Sequence, residues 1–175
     1  MPELKRLLVP MDFSEGSRLA LRHALELAET FGAAVNALHV WEPSPYLSPD
    51  AVVWLKGEQQ TFWAHAKHQL QERLQTTVAE VVAELPEEAG ARPVATEVVS
   101  GYTSETILST IREGGYDMVV MGTRGRTGLS HVLLGSVAER IVRMASCPVM
   151  TIKPRESATD AEPDLPNGFY TPTMI

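Results

Sequence analysis

Short apolar runs alternate with longer segments of helical periodicity along most of the chain, and this alternation limits the fold more than any other feature of the sequence. Five apolar runs predict strands, over residues 5–11, 33–40, 93–100, 116–121 and 147–153. Four helices are predicted between them, over residues 15–30, 59–84, 103–114 and 136–145. Strands that alternate with helices pair in parallel and carry helices on both faces of the sheet. The pattern predicts a single-domain α/β fold built on an open, five-stranded parallel sheet.

The segment over residues 41–58 interrupts this alternation. It contains Pro43, Pro45 and Pro49, which exclude a continuous helix or a central strand. A loop of this length in a compact domain is often a lid or a binding loop. Its aromatic residues Trp41 and Trp54 are candidates to cover a bound ligand, although loop aromatics also pack against their own domain.

Composition excludes several classes of protein. A net charge of −7 disfavours a general nucleic-acid binder, which needs a basic face. The single cysteine, Cys147, makes no internal disulfide and suits a reducing compartment. No apolar run approaches the roughly 20 residues of a membrane span, and the first apolar run is too short for a signal peptide. We therefore expect a cytoplasmic protein with no membrane insertion.

The most informative stretch runs from Met121 to Ser136 and reads MGTRGRTGLSHVLLGS. It begins at the carboxyl end of a predicted strand, the edge at which open parallel sheets bind ligands. It ends at a predicted helix N-terminus, where the backbone N–H groups of Gly135 and Ser136 suit a phosphate group. Arg124 and Arg126 would offset phosphate charge. The alternative is a flexible glycine loop closed by a serine N-cap.

This stretch resembles the ATP-binding signature of the universal stress protein family. The resemblance rests on Gly122-x-x-Gly125, then nine residues, then Gly135-Ser136, and on similar flanking segments. It extends over about residues 3 to 153. It implies a Rossmann-like sheet of the adenine nucleotide alpha hydrolase type, with strand order 3-2-1-4-5. We expect a family domain over residues 1–153 and a C-terminal extension over residues 154–175.

The resemblance also implies which residues bind the nucleotide. Asp12 would face the ribose or base, although the residues after it also suit a helix entry. The backbone of Val40 would read the adenine edge, although an ordinary core valine explains that residue equally well. The complete predicted set is Pro10, Met11, Asp12, Val40, Met121, Gly122, Arg124, Gly125, Gly135, Ser136 and Val137. In the implied strand order, strands 1 and 4 flank the switch point of the sheet, so these residues would meet in one crevice.

The function implied by the resemblance is that of an ATP-binding regulatory or sensor protein of the stress response. ATP is the expected ligand, with or without Mg²⁺, and a homodimer is expected through residues 148–153. A further protein partner is left open. Two alternatives are a slow or partner-stimulated ATP hydrolase and a nucleotide-free adaptor. No catalytic residue is predicted, because the sequence shows no evident base paired with a second catalytic group. No protein metal ligand is predicted, because no carboxylate or cysteine pattern completes a site with His65 and His68.

Overall fold

The computed structural model describes residues 4–42, 48, 51–55, 58–86, 93–123 and 134–154. Within these ranges the strands are β1 Arg6–Pro10, β2 Ala34–Trp41, β3 Val52–Leu55, β4 Glu58–Thr61, β5 Val94–Ser100, β6 Met118–Gly122 and β7 Val149–Ile152. The helices are α1 Glu15–Phe31, α2 Phe62–Ala83, α3 Thr103–Gly114 and α4 Ser136–Met144.

The main sheet has five parallel strands in the order β5-β2-β1-β6-β7. Numbered among themselves along the chain, these strands have the order 3-2-1-4-5, which confirms the prediction. Strand β1 lies at the centre, where Leu7 is in register with Val35 of β2 on one side and Met118 of β6 on the other. The order reverses between β1 and β6, so a crevice is expected beyond their carboxyl ends.

Two apolar cores cover the two faces of the sheet. Leu7 and Val9 of β1 join the core beneath α1 and α2, while Leu8 joins the core beneath α3 and α4. All three side chains are completely buried. Successive strand residues point to opposite faces, so a run of apolar residues indicates a strand covered on both sides. Each such side chain contributes about 1.5–3 kcal/mol by its burial.

Helix α1 begins and ends where its sequence predicts. The Ser14 hydroxyl accepts a hydrogen bond from the Ser17 backbone N–H at 3.3 Å, and this bond caps the first turn. Gly32 follows the helix with φ of 73°, in the left-handed region that glycine enters without strain. These two ends direct the chain from the carboxyl edge of β1 back to the start of β2.

The segment between β2 and α2 differs from the prediction. We expected a loop over residues 41–58, but strands β3 and β4 pair as an antiparallel hairpin beside the main sheet. The β-branched and aromatic residues Val52, Val53 and Trp54 favour a strand, and the three prolines precede it, outside the described residues. The predicted start of the long helix at residue 59 is also wrong. Thr61 caps the helix by accepting a bond from the Ala64 N–H at 3.2 Å, so α2 begins at Phe62.

The predicted C-terminal extension beyond Pro154 lies outside the described residues. Across the part of the chain that is described, no helix combines the length and the apolar character that crossing a membrane requires.

Candidate functional site

A cavity of about 460 Å³ lies at the carboxyl edge of the sheet, where β1 and β6 end. Nine of the eleven predicted binding residues line it: Pro10, Met11, Asp12, Val40, Met121, Gly122, Gly135, Ser136 and Val137. The other two, Arg124 and Gly125, lie outside the described residues, as does Arg126. The fold thus brings the ends of β1, β2 and β6 and the start of α4 to one place.

Asp12 lies in a tight turn between β1 and α1. Its Oδ1 accepts hydrogen bonds from the Ser14 backbone N–H at 3.0 Å and from the Ser14 hydroxyl at 2.5 Å. Phe13, between them, has φ of 66°, a left-handed conformation that non-glycine residues seldom adopt. The helix-entry role that the sequence suggested for Asp12 is therefore present, and the same residue lines the cavity.

Gly122 ends β6 at a point of close contact with α1. A Cβ atom added at Gly122 would lie 2.8 Å from the backbone carbonyl carbon of Gly16 and 3.0 Å from its oxygen. Real Cβ atoms do not approach backbone atoms so closely, so a side chain here would push α1 away from the sheet. The close packing of helix and strand by itself requires a glycine at this position.

Gly135 immediately precedes α4 and has a different environment. Its φ of −69° is open to any residue, and among the described residues an added Cβ would meet nothing nearer than the Thr123 carbonyl oxygen at 3.5 Å. The Gly135 N–H donates to that oxygen at 2.8 Å, which fixes the start of the helix. Ser136, Val137 and Ala138 follow and line the cavity, and first-turn N–H groups have no acceptor within their own helix. The positive end of α4 therefore opens on the cavity.

His39 is a cavity residue that the sequence reasoning missed. It is 8% exposed, and its Nδ1 lies 2.7 Å from the Met11 carbonyl oxygen. Because a carbonyl oxygen only accepts, Nδ1 carries the hydrogen. The imidazole also packs on the Phe13 ring with centroids 4.5 Å apart, and the Arg73 guanidinium lies 4.2 Å from the centre of that ring. His39 thereby supports the turn that presents Asp12; the only indication in the sequence was one polar residue inside a buried strand.

Glu42 was also missed, and it connects the end of β2 to the start of α3. Its Oε1 accepts hydrogen bonds from both the backbone N–H and the hydroxyl of Thr103, each at 2.7 Å. These two bonds lower the pKa of Glu42, against a smaller opposing effect of desolvation, so the carboxylate is ionised at neutral pH. Both residues line the cavity. A glutamate directly after a strand and a threonine at a helix start were the available indications.

Trp41 and Trp54, the candidates to cover a bound ligand, lie in different places. Trp41 lines the cavity and meets Trp63 edge-on, with ring centroids 5.5 Å apart. Trp54 lies on the hairpin and is 72% exposed. Within the described ranges, no cluster of three or more His, Cys, Asp or Glu side chains is placed to hold a metal ion.

The family model for the "Universal stress protein family" matches residues 3–153. Universal stress protein MJ0531 of Methanocaldococcus jannaschii is 35% identical over 149 residues, which cover 85% of this chain and 82% of that protein. Universal stress protein MJ0577 of the same organism is 30% identical over 159 residues, which cover 87% and 97%. The solved structure of MJ0577 matches with a TM-score of 0.69 at 28% identity, over 89% of this chain and 99% of that one.

Two further solved structures contain nucleotides. A universal stress protein in complex with cAMP matches with a TM-score of 0.61 at 18% identity, over 86% of this chain and 98% of that one. The universal stress protein from Archaeoglobus fulgidus in complex with dAMP matches with a TM-score of 0.58 at 17% identity, over 87% and 100%. These likenesses show a shared fold, and the nucleotides belong to those proteins. The family match over residues 3–153 and the two sequence relatives show that the chain belongs to the universal stress protein family.

Proposed function

We propose that this chain binds ATP in the cavity beyond β1 and β6 and acts as a nucleotide-dependent regulatory or sensor dimer. One observation carries the proposal: the N-terminus of α4 at Gly135 and Ser136 opens on the cavity, and the packing of the described residues does not require a glycine there. A glycine with free space beside a helix N-terminus is what a close-approaching phosphate needs.

The other wall of the cavity suits a nucleoside. Met11, Val40 and Met121 supply apolar contacts, and Asp12 supplies a carboxylate that accepts hydrogen bonds from hydroxyl or amino groups. The structural neighbours solved with cAMP and dAMP hold adenine nucleotides on the same fold, which favours adenine as the base. ATP would place its nucleoside at this wall and its phosphate chain at the N-terminus of α4.

Binding is favoured over rapid hydrolysis by the contacts of the cavity's polar side chains. Hydrolysis needs a group that positions and deprotonates water. Asp12 Oδ1 accepts two bonds from Ser14, Glu42 Oε1 accepts two from Thr103, and His39 Nδ1 donates to Met11. Each of these groups is held in place by the hydrogen bonds of a turn or a helix end, and Asp12 also faces the proposed nucleoside. From the described residues of the cavity we therefore expect any hydrolysis to be slow or dependent on a partner, with Mg²⁺ as its cofactor.

The proposed dimer forms through β7, an edge strand of the main sheet. Met150 on β7 is 38% exposed, and Val142 and Met144 on the preceding helix are 48% and 55% exposed. Among the described strands β7 has a partner on one side only, and an edge strand with apolar neighbours favours association. In light scattering, Met150→Lys should shift the full chain toward monomer. Val52→Lys, at the 48% exposed position on the hairpin, is the matched control and should leave the mass unchanged.

Two measurements on the full chain test the ATP proposal. Mass spectrometry should find ATP or ADP among small molecules released from freshly purified, denatured protein, and calorimetry should show saturable ATP binding. The ADP-to-ATP ratio during incubation with Mg²⁺ separates a sensor from a hydrolase. Protein that carries no nucleotide and also gives no heat with added ATP would overturn the proposal, and the adaptor alternative would then stand.

A further inference from the structure

Two helix N-termini open on the same cavity. Helices α3 and α4 pack on one face of the sheet, and their first residues, Thr103 and Ser136, both line the cavity. Each N-terminus carries partial positive charge and first-turn N–H groups that have no acceptor within their own helix, so each is suited to bind an anion. Geometry alone would let a phosphate chain lie at either end.

The N-terminus of α3 already holds an anion from the protein itself. The Glu42 carboxylate accepts from the Thr103 N–H and hydroxyl at 2.7 Å each, in the manner of a capping side chain. The residue at the N-cap position, Tyr102, makes no side-chain capping bond, so Glu42 supplies the cap from another element. This bond keeps the carboxylate ionised and in the cavity wall.

The N-terminus of α4 has the opposite character. Its N-cap residue is Gly135, which has no side chain to cap the helix. Among the described residues that line the cavity, the carboxylates are those of Asp12 and Glu42. In the described lining of the cavity, the acidic groups therefore lie near β1, β2 and α3, and the positive N-terminal end of α4 has no side-chain cap.

We infer that Glu42 is a specificity-determining residue that fixes the direction of the nucleotide, by blocking phosphate from α3 and confining it to α4. The inference rests on the proposed nucleotide site, and it adds a residue that enforces the orientation proposed there. The uncharged, hydroxyl-bearing part of the nucleotide then faces Glu42. A carboxylate repels a polyphosphate and accepts hydrogen bonds from hydroxyl groups. Glu42 therefore opposes the orientation that places phosphate at α3 and tolerates the one that places phosphate at α4.

The test uses sodium tripolyphosphate as the probe, in calorimetry on the full chain at low salt, where surface charges are weakly screened. Glu42→Gln removes the charge and keeps an oxygen that accepts from Thr103. The change should tighten tripolyphosphate binding about two- to fivefold, the size of a charge effect at a helix end. The matched control is Glu105→Gln, also in the first turn of α3, where Glu105 pairs with Arg140 at 2.8 Å.

A second measurement follows the backbone amides by nuclear magnetic resonance. In the wild type, tripolyphosphate should shift the Ser136 and Val137 amides and leave the Thr103 amide unmoved. In Glu42→Ala the Thr103 amide should respond as well, because the α3 N-terminus is then open.

Three outcomes are distinguishable. The inference is supported if Glu42→Gln raises the affinity for tripolyphosphate more than Glu105→Gln does. The inference is overturned if the two variants bind tripolyphosphate with equal affinity and the Thr103 amide of Glu42→Ala does not shift. If the wild type still binds ATP, that result leaves the proposed function intact. A wild type that binds neither ATP nor tripolyphosphate overturns the proposed function and this inference with it.

Discussion

Gly122 and Gly135 stand at the two ends of one glycine-rich signature, yet the structure assigns them different physical roles. An added Cβ at Gly122 would meet the Gly16 backbone at 2.8 Å, whereas one at Gly135 would have no described neighbour closer than 3.5 Å. The first glycine is required by the packing of α1 against β6. The second is not required by the packing of the described residues, and we propose that it admits a bound phosphate. A sequence signature therefore combines requirements of folding and of binding, and only the surroundings of each residue separate them.

The largest expected effect is on binding at Gly135. Gly135→Val should weaken ATP binding about 100-fold or more, because displacing two hydrogen bonds to a charged phosphate costs about 1.5–3 kcal/mol each. The midpoint of thermal unfolding should stay close to that of the wild type, since the site has room and an ordinary φ. Calorimetry and thermal melting on the same preparation check both statements. Unchanged ATP affinity in a folded variant would remove the phosphate role of this helix end.

A second effect should appear in stability at Gly122. Gly122→Ala should cost about 1–3 kcal/mol of unfolding free energy, the usual cost of overpacking. Gly135→Ala makes the same chemical change and is the matched control, with a much smaller expected loss. Chemical denaturation of the two variants measures the difference. Equal losses would mean that the contact between β6 and α1 relaxes freely and that the two glycines do not differ as described.

The third effect should be on the nucleoside half of the ligand. Asp12→Asn keeps an oxygen that accepts from Ser14 and removes the carboxylate charge, so the turn should survive. ATP affinity should fall about fivefold, the value of roughly one hydrogen bond, while tripolyphosphate affinity should not fall. Parallel titrations with the two ligands make this comparison. Equal losses for both would place Asp12 outside nucleoside recognition.

The smallest effect should be on acid stability at the opposite edge of the sheet. The Asp117 carboxylate accepts from the Lys5 and Arg6 backbone N–H groups at 2.8 Å each, and these bonds lower its pKa below the ordinary value of 3.8. A lowered folded-state pKa stabilises the fold above pH 3.8 and loses that stabilisation as the pH falls through the folded-state value.

Thermal melts over the acidic range test the Asp117 contribution. Asp117→Asn should unfold at a slightly lower temperature at neutral pH and lose less stability on acidification. ATP binding should be unaffected, because Asp117 lies at the edge away from the cavity. If the variant loses stability on acidification as the wild type does, these two bonds do not contribute to the pH dependence of stability.

The fold was predictable because its signals are local. Leu7 to Val9 form an uninterrupted apolar run, and Ser14 and Gly32 mark helix ends through the conformations those residue types prefer. The hairpin of β3 and β4 was not predicted, because the three prolines indicated a loop over the whole of residues 41–58. The later residues of that segment favour a strand. A proline disfavours a strand at its own position and does not prevent a strand that begins several residues later.

The site was predictable where the glycine-rich signature and the strand order pointed to one crevice. Its supporting contacts were not, since they join residues distant in sequence. A glutamate after a strand and a polar residue inside a strand mark Glu42 and His39 as unusual, but these positions do not identify Thr103 and Met11 as their partners. The requirement for glycine at residue 122 likewise depends on the backbone of Gly16.

The most direct test of the central claim is the response of backbone amide resonances when ATP is titrated into the isotope-labelled full chain. We expect saturable shifts of the Ser136, Val137 and Ala138 amides, as the phosphate accepts hydrogen bonds from the first turn of α4, with little change at Thr103. ATP that binds while those three amides stay unmoved, or that moves Thr103 instead, would contradict the account.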